Sequence, residues 1–322
     1  MTRITVAGGG AFGTALAIAL ACDANPTVLW ARDAKAVSAM QTDGENRSNL
    51  PGARFPQDLS VSNDPESLNM AEVVLLAVPT QNLRSFLDLH GPRLAQKPCV
   101  LCCKGIEKGT GLLPSQVLAE LVPTAEIAVL TGPGFATEIA RRLPTALTLA
   151  STDPDAETLQ ARLSTASLRL YLSNDVIGAQ LGGALKNVIA IASGITIGAG
   201  LGESARAALM TRGYAEMMRL AVDMGANPAT LSGLSGLGDL ALTCTSMQSR
   251  NYSLGYALGQ GGEMGSGTTF EGVATARATL TLAEPRGIDM PIAGIVTAVL
   301  ERQLTIGEAV AALLSRPLKS ED

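Results

Sequence analysis

Lys186 is the residue whose type and surroundings most clearly suggest chemistry. With Asn187 it interrupts an almost unbroken apolar run, residues 177–201, and no carboxylate lies within four residues to pair with it along a helix. Burial disfavours an ammonium ion and lowers its pKa, so a lysine here could exchange a proton near neutral pH. We expect Lys186 to act as a general acid or base, with Gly182 and Gly183 leaving room for an approaching group.

Two simpler interpretations of this apolar run stay open. A lysine at the edge of a helix can bury its methylene chain and extend its ammonium group into water. The run also exceeds the roughly 20 apolar residues that cross a bilayer. A central Lys-Asn pair and six glycines argue against that second interpretation, so we predict no membrane span.

Polar groups in two later loops could complete the site. Asp239, in SGLGDL, could orient or neutralise a buried lysine, although it could also cap a helix. Arg250 and Asn251, in TCTSMQSRN, offer a bidentate cation beside an amide, a set that binds phosphate. These loops favour a small phosphorylated substrate, with an ordinary surface charge as the alternative for Arg250.

A glycine-rich turn near the start of the chain predicts a dinucleotide site. A strand at residues 3–7 runs directly into GGGAFG at residues 8–13, which fits GxGxxG, and TALAIALA continues as a helix of small residues. Gly8 makes the turn, Gly10 lets the backbone approach the pyrophosphate, and Gly13 allows the helix to pack on the strand. The N-terminus of that helix would hold the negative charge.

The end of the second strand bears on the choice between NAD and NADP. Arg32 and Asp33 follow a strand at residues 27–30, roughly 20 residues after the glycine turn, where the adenosine ribose should lie. An acid at this place binds the 2′-hydroxyl of NAD, whereas an arginine accommodates the 2′-phosphate of NADP. Because Arg32 comes first, we favour NADPH with tolerance for NADH; an exposed charge pair is the alternative.

The elements that position these groups predict a sheet of parallel strands followed by helices. Ligands bind outside the carboxyl ends of such strands, so Thr80, Lys104 and the turn GPGFA at residues 132–136 should face one crevice. From residue 175 the pattern is helical. The expected fold is α/β, with a Rossmann-type dinucleotide-binding domain at residues 1–178 and an all-α substrate and catalytic domain at residues 179–322. Later strands are predicted at residues 73–78, 98–103, 126–131, 145–150 and 169–172.

Composition narrows the possible partners. A net charge of -5 offers no basic face for nucleic acid, and residues 1–10 enter a strand without a signal core, which predicts a cytoplasmic protein. Cys99 and Cys102 would face opposite sides of a strand and cannot share a metal. The single histidine, His90, is expected to be solvated at a helix end. We therefore expect no metal site.

Seven blocks of this chain together resemble the bacterial NAD(P)-dependent glycerol-3-phosphate dehydrogenase family. They are GGGAFGTALA, LLAVPTQ, CCKGIEKGTG, GPGFATE, IGAQLGGALKNVIAIASG, GLGDLALTCTSMQSRN and FEG, and they span nearly the whole chain. The resemblance implies reversible reduction of dihydroxyacetone phosphate by NAD(P)H to sn-glycerol 3-phosphate, which supplies phospholipid synthesis. A homodimer is a possible assembly.

The resemblance also implies roles for individual residues. Lys186 matches the lysine that donates and accepts the proton, and Asp239 is expected to be catalytic beside it. The expected substrate-binding residues are Lys104, Gly132, Gly134, Lys186, Asp239, Ser249, Arg250 and Asn251. The expected cofactor-binding residues are Gly8, Gly10, Ala11, Phe12, Gly13, Arg32, Lys104, Ala136, Arg250, Thr269 and Glu271.

Three single residues depart from the family pattern, and the stretch between Asn251 and Glu271 is several residues short. Gly134 stands where the turn after Gly-Pro usually has Ser or Thr, Ala11 replaces a frequent serine, and Asn49 stands where an aromatic residue is common. Two other functions stay open beside the dehydrogenase. One is a β-hydroxyacid dehydrogenase, which would bind a carboxylate instead of a phosphate, and the other is a non-catalytic nucleotide-binding sensor.

Overall fold

The computed structural model describes residues 3–23, 25–263 and 270–315. Its first part is built on one eight-stranded sheet. The strands are β1 Ile4–Ala7, β2 Thr27–Trp30, β3 Leu59–Ser62, β4 Val73–Leu76, β5 Pro98–Leu101, β6 Glu126–Thr131, β7 Thr145–Ser151 and β8 Leu168–Ser173. Their order across the sheet is β3-β2-β1-β4-β5-β6-β7-β8.

The pairing is parallel from β3 to β6, and β7 runs antiparallel to β6. The expected α/β fold is confirmed, but sequence patterning did not predict the antiparallel direction of β7 and missed β3. Its short sequence, LSVS, alternates buried and exposed positions at the sheet edge, which is a weaker signal than the continuous apolar runs of β1 and β4.

Seven helices cover the two faces of the sheet, and both interfaces are apolar. Ile4 and Val6 of β1 pack on one face with the first helix, whereas Ala7 and Leu76 belong to the cluster on the other face. The helices are α1 Ala11–Ala21, α2 Ala34–Asp43, α3 Glu66–Asn69, α4 Thr80–His90, α5 Pro114–Leu121, α6 Ala136–Ala140 and α7 Ala156–Leu163.

His90 lies at the end of α4 as expected, but it is not solvated. Its ring packs between Trp30 and Phe86, with ring centroids 5.1 and 4.9 Å away, and only 6% of the residue is exposed. Burial lowers its pKa, and the nearby Arg93 acts in the same direction. The prediction of a solvated helix end was wrong because Trp30 of β2 and Phe86 of α4 pack against the ring.

The second part of the chain is helical and is organised around one long helix, α8 Val176–Gly198. The others are α9 Glu203–Asp223, α10 Pro228–Ser232, α11 Asp239–Thr243, α12 Arg250–Gly259, α13 Glu271–Ala283, α14 Pro291–Leu300 and α15 Ile306–Leu314. A π-helical turn, Leu234–Gly238, leads into α11. The expected boundary at 178/179 falls in the first turn of α8 and stays a prediction.

Helix α8 is the buried centre of the helical part. It is long and apolar enough to cross a membrane by length and composition alone, but 89% of its most apolar window is buried inside the protein, as in the core helix of a soluble protein. Its partner α12 approaches it at backbone distance. A Cβ at Gly194 would lie 2.1 Å from the Tyr252 carbonyl oxygen, and one at Gly255 would lie 2.0 Å from the Ile191 oxygen.

Candidate active site

Lys186 is held inside the protein by two hydrogen bonds. Its Nζ donates to Asp239 Oδ1 at 2.7 Å and to Thr243 Oγ1 at 2.6 Å, and 8% of its side chain is exposed. The ammonium group therefore does not extend into water, and the helix-edge interpretation of this lysine is wrong.

The second oxygen of the same carboxylate holds a second lysine. Lys104, which follows β5, donates from Nζ to Asp239 Oδ2 at 2.6 Å and to the Gly132 carbonyl oxygen at 3.2 Å. Its ammonium also lies 5.7 Å from the centre of the Phe12 ring. The tip of β5, the tip of β6, the glycine turn and α11 thus meet at one point.

Two glycines of α8 allow this meeting. A Cβ at Gly182 would lie 2.5 Å from the Ser235 carbonyl oxygen in the π-helical turn. A Cβ at Gly183 would lie 2.6 Å from Thr131 Oγ1 at the end of β6. A methyl group at Gly182 would collide with backbone of the turn that leads into α11, and one at Gly183 would displace the Thr131 hydroxyl, so both glycines allow α8 to approach its neighbours closely.

Burial and charge set the protonation of the pair. Desolvation is the largest influence on Lys186 and lowers its pKa to about 8, although the Asp239 carboxylate opposes that change. Burial alone would raise the pKa of Asp239, but Lys104 and Lys186 together outweigh it and lower that pKa. At neutral pH the carboxylate is charged, while Lys186 stands near the pH at which it can give or take a proton.

The loop that carries Arg250 is fixed on both sides. Ser249 caps α12 by accepting a hydrogen bond from Tyr252 N at 3.2 Å, and Asn251 Oδ1 accepts from Gly272 N at 3.2 Å. The Arg250 side chain is exposed. Glu271 begins α13, and burial raises its pKa, whereas the charges of Arg250, Lys104 and Lys186 act in the opposite direction.

The glycine turn has the shape that a pyrophosphate requires. A Cβ at Gly8 would lie 2.6 Å from the Ala77 carbonyl carbon, and one at Gly13 would lie 2.2 Å from the Gly8 oxygen, so strand and helix pack at backbone distance. At Gly10, the N-cap of α1, a Cβ would meet nothing within 4 Å. The open side of the turn therefore faces the N-terminus of α1, where an anion is stabilised.

Arg32 and Asp33 have different surroundings at the end of β2. Asp33 Oδ1 accepts from the backbone N–H groups of Lys35 and Ala36 at 2.8 and 3.3 Å, which caps α2. Arg32 is exposed. The Asp33 carboxylate is thus used as a helix cap. The Arg32 guanidinium is the charged group at the end of β2 that could contact a ligand.

The structure brings Lys104, Gly132, Lys186, Asp239 and Phe12 together at one point. Ala11 and Phe12 begin α1, Ala136 begins α6 beside the turn that contains Gly134, and Gly132 contacts Lys104. Thr269 lies outside the described residues. Within the described part of the chain, no group of three His, Cys, Asp or Glu residues could hold a metal ion.

Comparison with known proteins identifies the arrangement. Residues 3–157 match the family model of the NAD-dependent glycerol-3-phosphate dehydrogenase N-terminus, and residues 175–311 match that of its C-terminus. The chain belongs to the NAD-dependent glycerol-3-phosphate dehydrogenase family. Glycerol-3-phosphate dehydrogenase [NAD(P)+] from Ruegeria sp. (strain TM1040) is 55% identical over 320 residues, covering 99% of each chain. The crystal structure of glycerol-3-phosphate dehydrogenase from Coxiella burnetii is 38% identical, covers 98% of this chain and 99% of its own, and has a TM-score of 0.93.

Sequence reasoning missed two residues of this dehydrogenase site. Thr243 holds Lys186, and its hydroxyl also lies 3.2 Å from Asp239 Oδ1. The signal was present, because residues four apart share one face of a helix, but residue 243 had been assigned to a loop. Gln248 is the other: its amide accepts from Thr137 Oγ1 at 2.6 Å and donates to Glu138 Oε1 at 3.1 Å, which ties the Arg250 loop to α6.

The departures from the dehydrogenase pattern have local explanations. A Cβ at Gly134 would lie 3.1 Å from Ile139 Cδ1 and 3.2 Å from Thr145 Cγ2, so the turn has closed around the missing side chain. Asn49 donates from Nδ2 to the Gly9 carbonyl oxygen at 3.1 Å. It therefore contacts the glycine turn directly. The structure gives no account of the alanine at position 11.

Proposed function

We propose that the protein is an NAD(P)-dependent sn-glycerol-3-phosphate dehydrogenase, which reversibly reduces dihydroxyacetone phosphate to sn-glycerol 3-phosphate for glycerophospholipid synthesis. Membership of the dehydrogenase family supports the activity. The observation that carries the mechanism is the buried Asp239 carboxylate, which Lys104 and Lys186 share beside Phe12 of the glycine turn. In this arrangement Lys186 can donate a proton, and the second ammonium group, on Lys104, adds positive charge beside it.

The glycine turn and its surroundings fit a dinucleotide. Gly8, Gly10 and Gly13 with the N-terminus of α1 would hold the pyrophosphate, and Arg32 would meet the adenosine half. When bound, the nicotinamide supplies the hydride that reduces the ketone carbon. Because Arg32 is exposed and Asp33 is engaged as a helix cap, we propose a preference for NADPH over NADH.

Cations from both parts of the chain would hold the phosphate end of the substrate. Arg250 is exposed at the start of α12 and can pair with phosphate oxygens through two parallel N–H groups. The amide of Asn251 and the ammonium of Lys104 would add donors. Ser249 acts through the cap that fixes the direction of α12, and the turn from Gly132 to Gly134 would contribute backbone groups.

Lys186 performs the proton transfer in this proposal. As the carbonyl oxygen gains negative charge, the Nζ ammonium stabilises it and gives it a proton, and in the reverse direction the neutral amine takes that proton back. Asp239 and Thr243 hold the amine in place, and the Asp239 charge keeps Lys186 protonated enough to act as an acid. Both Lys186 and Asp239 are therefore assigned as catalytic.

Three further expectations concern the domain boundary, the cellular location and the assembly. We propose a dinucleotide-binding domain ending at residue 178 and a helical domain from residue 179, a cytoplasmic location, and a homodimer. The contact of Lys104 with Asp239 across the two parts supports a site between the domains. Light scattering of the purified protein measures the assembly, and cell fractionation measures the location.

The deciding experiment mixes the purified protein with NADPH and dihydroxyacetone phosphate and follows the disappearance of the reduced cofactor. Turnover that depends on the phosphate group supports the proposal. Equal or faster turnover of 3-oxo acids without phosphate would instead indicate a β-hydroxyacid dehydrogenase. Tight NADPH binding without turnover of any ketone would indicate a nucleotide-binding sensor.

A further inference from the structure

A buried amide lies behind the glycine turn, in a segment to which sequence patterning gave no role. Asn46 is 3% exposed and follows α2. Its Nδ2 group donates to the Gly9 carbonyl oxygen at 2.8 Å and to Thr14 Oγ1 at 2.8 Å. Both donors of the amide are thus used, one on the turn itself and one on the first turn of α1.

The direction of this amide is fixed by its other atom. Asn46 Oδ1 accepts a hydrogen bond from Asn49 N at 3.3 Å, so the nitrogen must face the glycine turn. Asn49 then adds a second donor to the same carbonyl, with its Nδ2 at 3.1 Å from Gly9 O. The Gly9 carbonyl oxygen therefore accepts hydrogen bonds from two side-chain amides, those of Asn46 and Asn49.

The segment that carries both asparagines is anchored independently of the turn. Glu45 is 7% exposed and accepts from Gly52 N at 3.0 Å and from Arg47 Nε at 2.8 Å. Leu50 N donates to the Asn46 carbonyl oxygen at 2.8 Å. The segment that carries both asparagines is therefore held in place independently of the glycine turn, and its two amides can orient that turn.

Planarity of the peptide bond carries this orientation to the ligand side. In a trans peptide the C=O and the following N–H point in opposite directions. Because Gly9 C=O points at Asn46, the N–H of Gly10 points away from it. Gly10 is exposed, and its N–H donates to no group among the residues that the structure describes, so this N–H is open to a ligand.

We propose that Asn46 is a positioning residue for the pyrophosphate of the dinucleotide cofactor, with Asn49 as a second, exposed donor to the same carbonyl. By holding Gly9 C=O, Asn46 keeps the Gly10 N–H directed at an incoming diphosphate and spares the bound ligand the cost of ordering the turn. This inference rests on the proposed function, because it assumes that the turn binds a dinucleotide. The chemistry concerned is the diphosphate group, which NADPH, NADH and ADP share.

The test uses Asn46→Asp, which preserves shape but cannot donate and places a charged oxygen against the Gly9 carbonyl. The dissociation constants for NADPH, NADH and ADP should each rise about tenfold, the usual effect of losing one well-placed hydrogen bond. The constant for 2′-AMP, which has no diphosphate, should stay within about twofold of that of the parent. A purely structural loss would weaken all four ligands alike.

Thr14→Val is the matched control, because it removes the other acceptor of the same amide and leaves Gly9 in contact with Asn46. It should lower the melting temperature without a selective loss of ADP over 2′-AMP. Unchanged ADP binding by Asn46→Asp, or the same selective loss in Thr14→Val, overturns the proposal.

If Asn46→Asp does not fold, the Asn49→Ala variant tests the proposal instead, because Asn49 is exposed and its removal should not prevent folding. A loss of about threefold for ADP with none for 2′-AMP supports the assignment, and equal binding of both by variant and parent overturns it. A parent protein that binds NADPH but reduces no ketone contradicts the proposed function, whereas these binding measurements still test Asn46.

Discussion

Lys104 and Lys186 are held by the two oxygens of one carboxylate, although one lysine follows a strand of the sheet and the other lies on the central helix. Lys104, Lys186 and Arg250 stand against the two carboxylates of Asp239 and Glu271, which leaves one net positive charge where Asp239 is 2% exposed. Such a charge is expensive to bury alone and is relieved by an anion. The pocket is therefore complementary to a substrate that brings negative charge with it.

Lys186→Met should remove turnover and leave a folded protein that binds NADPH. The expected loss is about 100-fold to 10,000-fold, because a positioned general acid contributes that much. Asp239 keeps Lys104 as a partner, so the melting temperature should change little. Initial rates and thermal unfolding of one preparation give both results. Lys97→Met is the control, since Lys97 is a partly buried lysine bound to the Leu68 and Asn69 carbonyls; a comparable rate loss there would remove the assignment.

Asp239→Asn should move the pH dependence of ketone reduction. Burial lowers the Lys186 pKa to about 8 and the Asp239 carboxylate opposes this, so its removal should lower the pKa further. Reduction needs the protonated amine, and its rate falls as pH rises through that pKa. The alkaline limb of the rate profile should therefore shift to lower pH in the variant. A profile that keeps its alkaline limb while losing amplitude would assign the limb to another group.

Arg32→Ala should weaken NADPH about tenfold more than NADH. The exposed guanidinium follows β2, and only NADPH has the 2′-phosphate that such a group binds by charge-assisted hydrogen bonds. Fluorescence titration with both cofactors measures the ratio. Lys35→Ala removes a neighbouring exposed cation in the first turn of α2 and should leave the ratio near that of the parent. Equal losses for the two cofactors in Arg32→Ala would mean that Arg32 does not meet the phosphate.

Gln248→Ala should raise the KM for the phosphorylated ketone by about threefold to tenfold with a smaller change in kcat. The two hydrogen bonds of Gln248 to Thr137 and Glu138 hold the Arg250 loop against α6, and each exposed bond contributes modestly. Steady-state kinetics at saturating NADPH separates KM from kcat. Gln260→Ala, at the other end of α12, is the matched exposed glutamine and should behave as the parent does.

Gly194→Ala should destabilise the protein, although alanine is the better helix former. Its methyl group would lie 2.1 Å from the Tyr252 carbonyl oxygen, and overpacking of this kind costs about 1–3 kcal/mol. At Gly294, in α14, a Cβ would meet nothing within 4 Å, so Gly294→Ala should gain about 0.5–1 kcal/mol. Urea unfolding of the two variants tests the pair, and a Gly194→Ala protein as stable as the parent would contradict the backbone contact.

The sequence predicts the order of elements well because most of its strands are continuous apolar runs followed by glycine or polar tips. Strand β3 and the antiparallel direction of β7 could not be predicted in this way. The first is short and half exposed, and the second depends on how the chain returns after α6, which no local pattern records. His90 was misjudged for a similar reason, since its burial depends on Trp30 from a distant strand.

Within the site, the residues that carry charge were predictable and those that hold them were not. Lys186 could be singled out because a charged residue is unusual in an apolar run. Thr243, Gln248 and Asn46 are ordinary polar residues whose importance depends on a partner far along the chain or on a helix that had been assigned as a loop. Their roles follow from distances, which sequence spacing does not give.

The glycine contacts between α8 and α12 bear on attempts to redirect this protein to other substrates. Gly194 and Gly255 hold the two helices at backbone distance, and the same two helices carry Lys186 and Arg250. The spacing between Lys186 and Arg250, the proposed proton donor and phosphate ligand, is thereby set by helix diameters rather than by side-chain length. Laboratory evolution should therefore accept longer or shorter phosphorylated ketones chiefly through changes in the loop at residues 244–249, and libraries aimed at the helix contacts should yield mostly inactive clones.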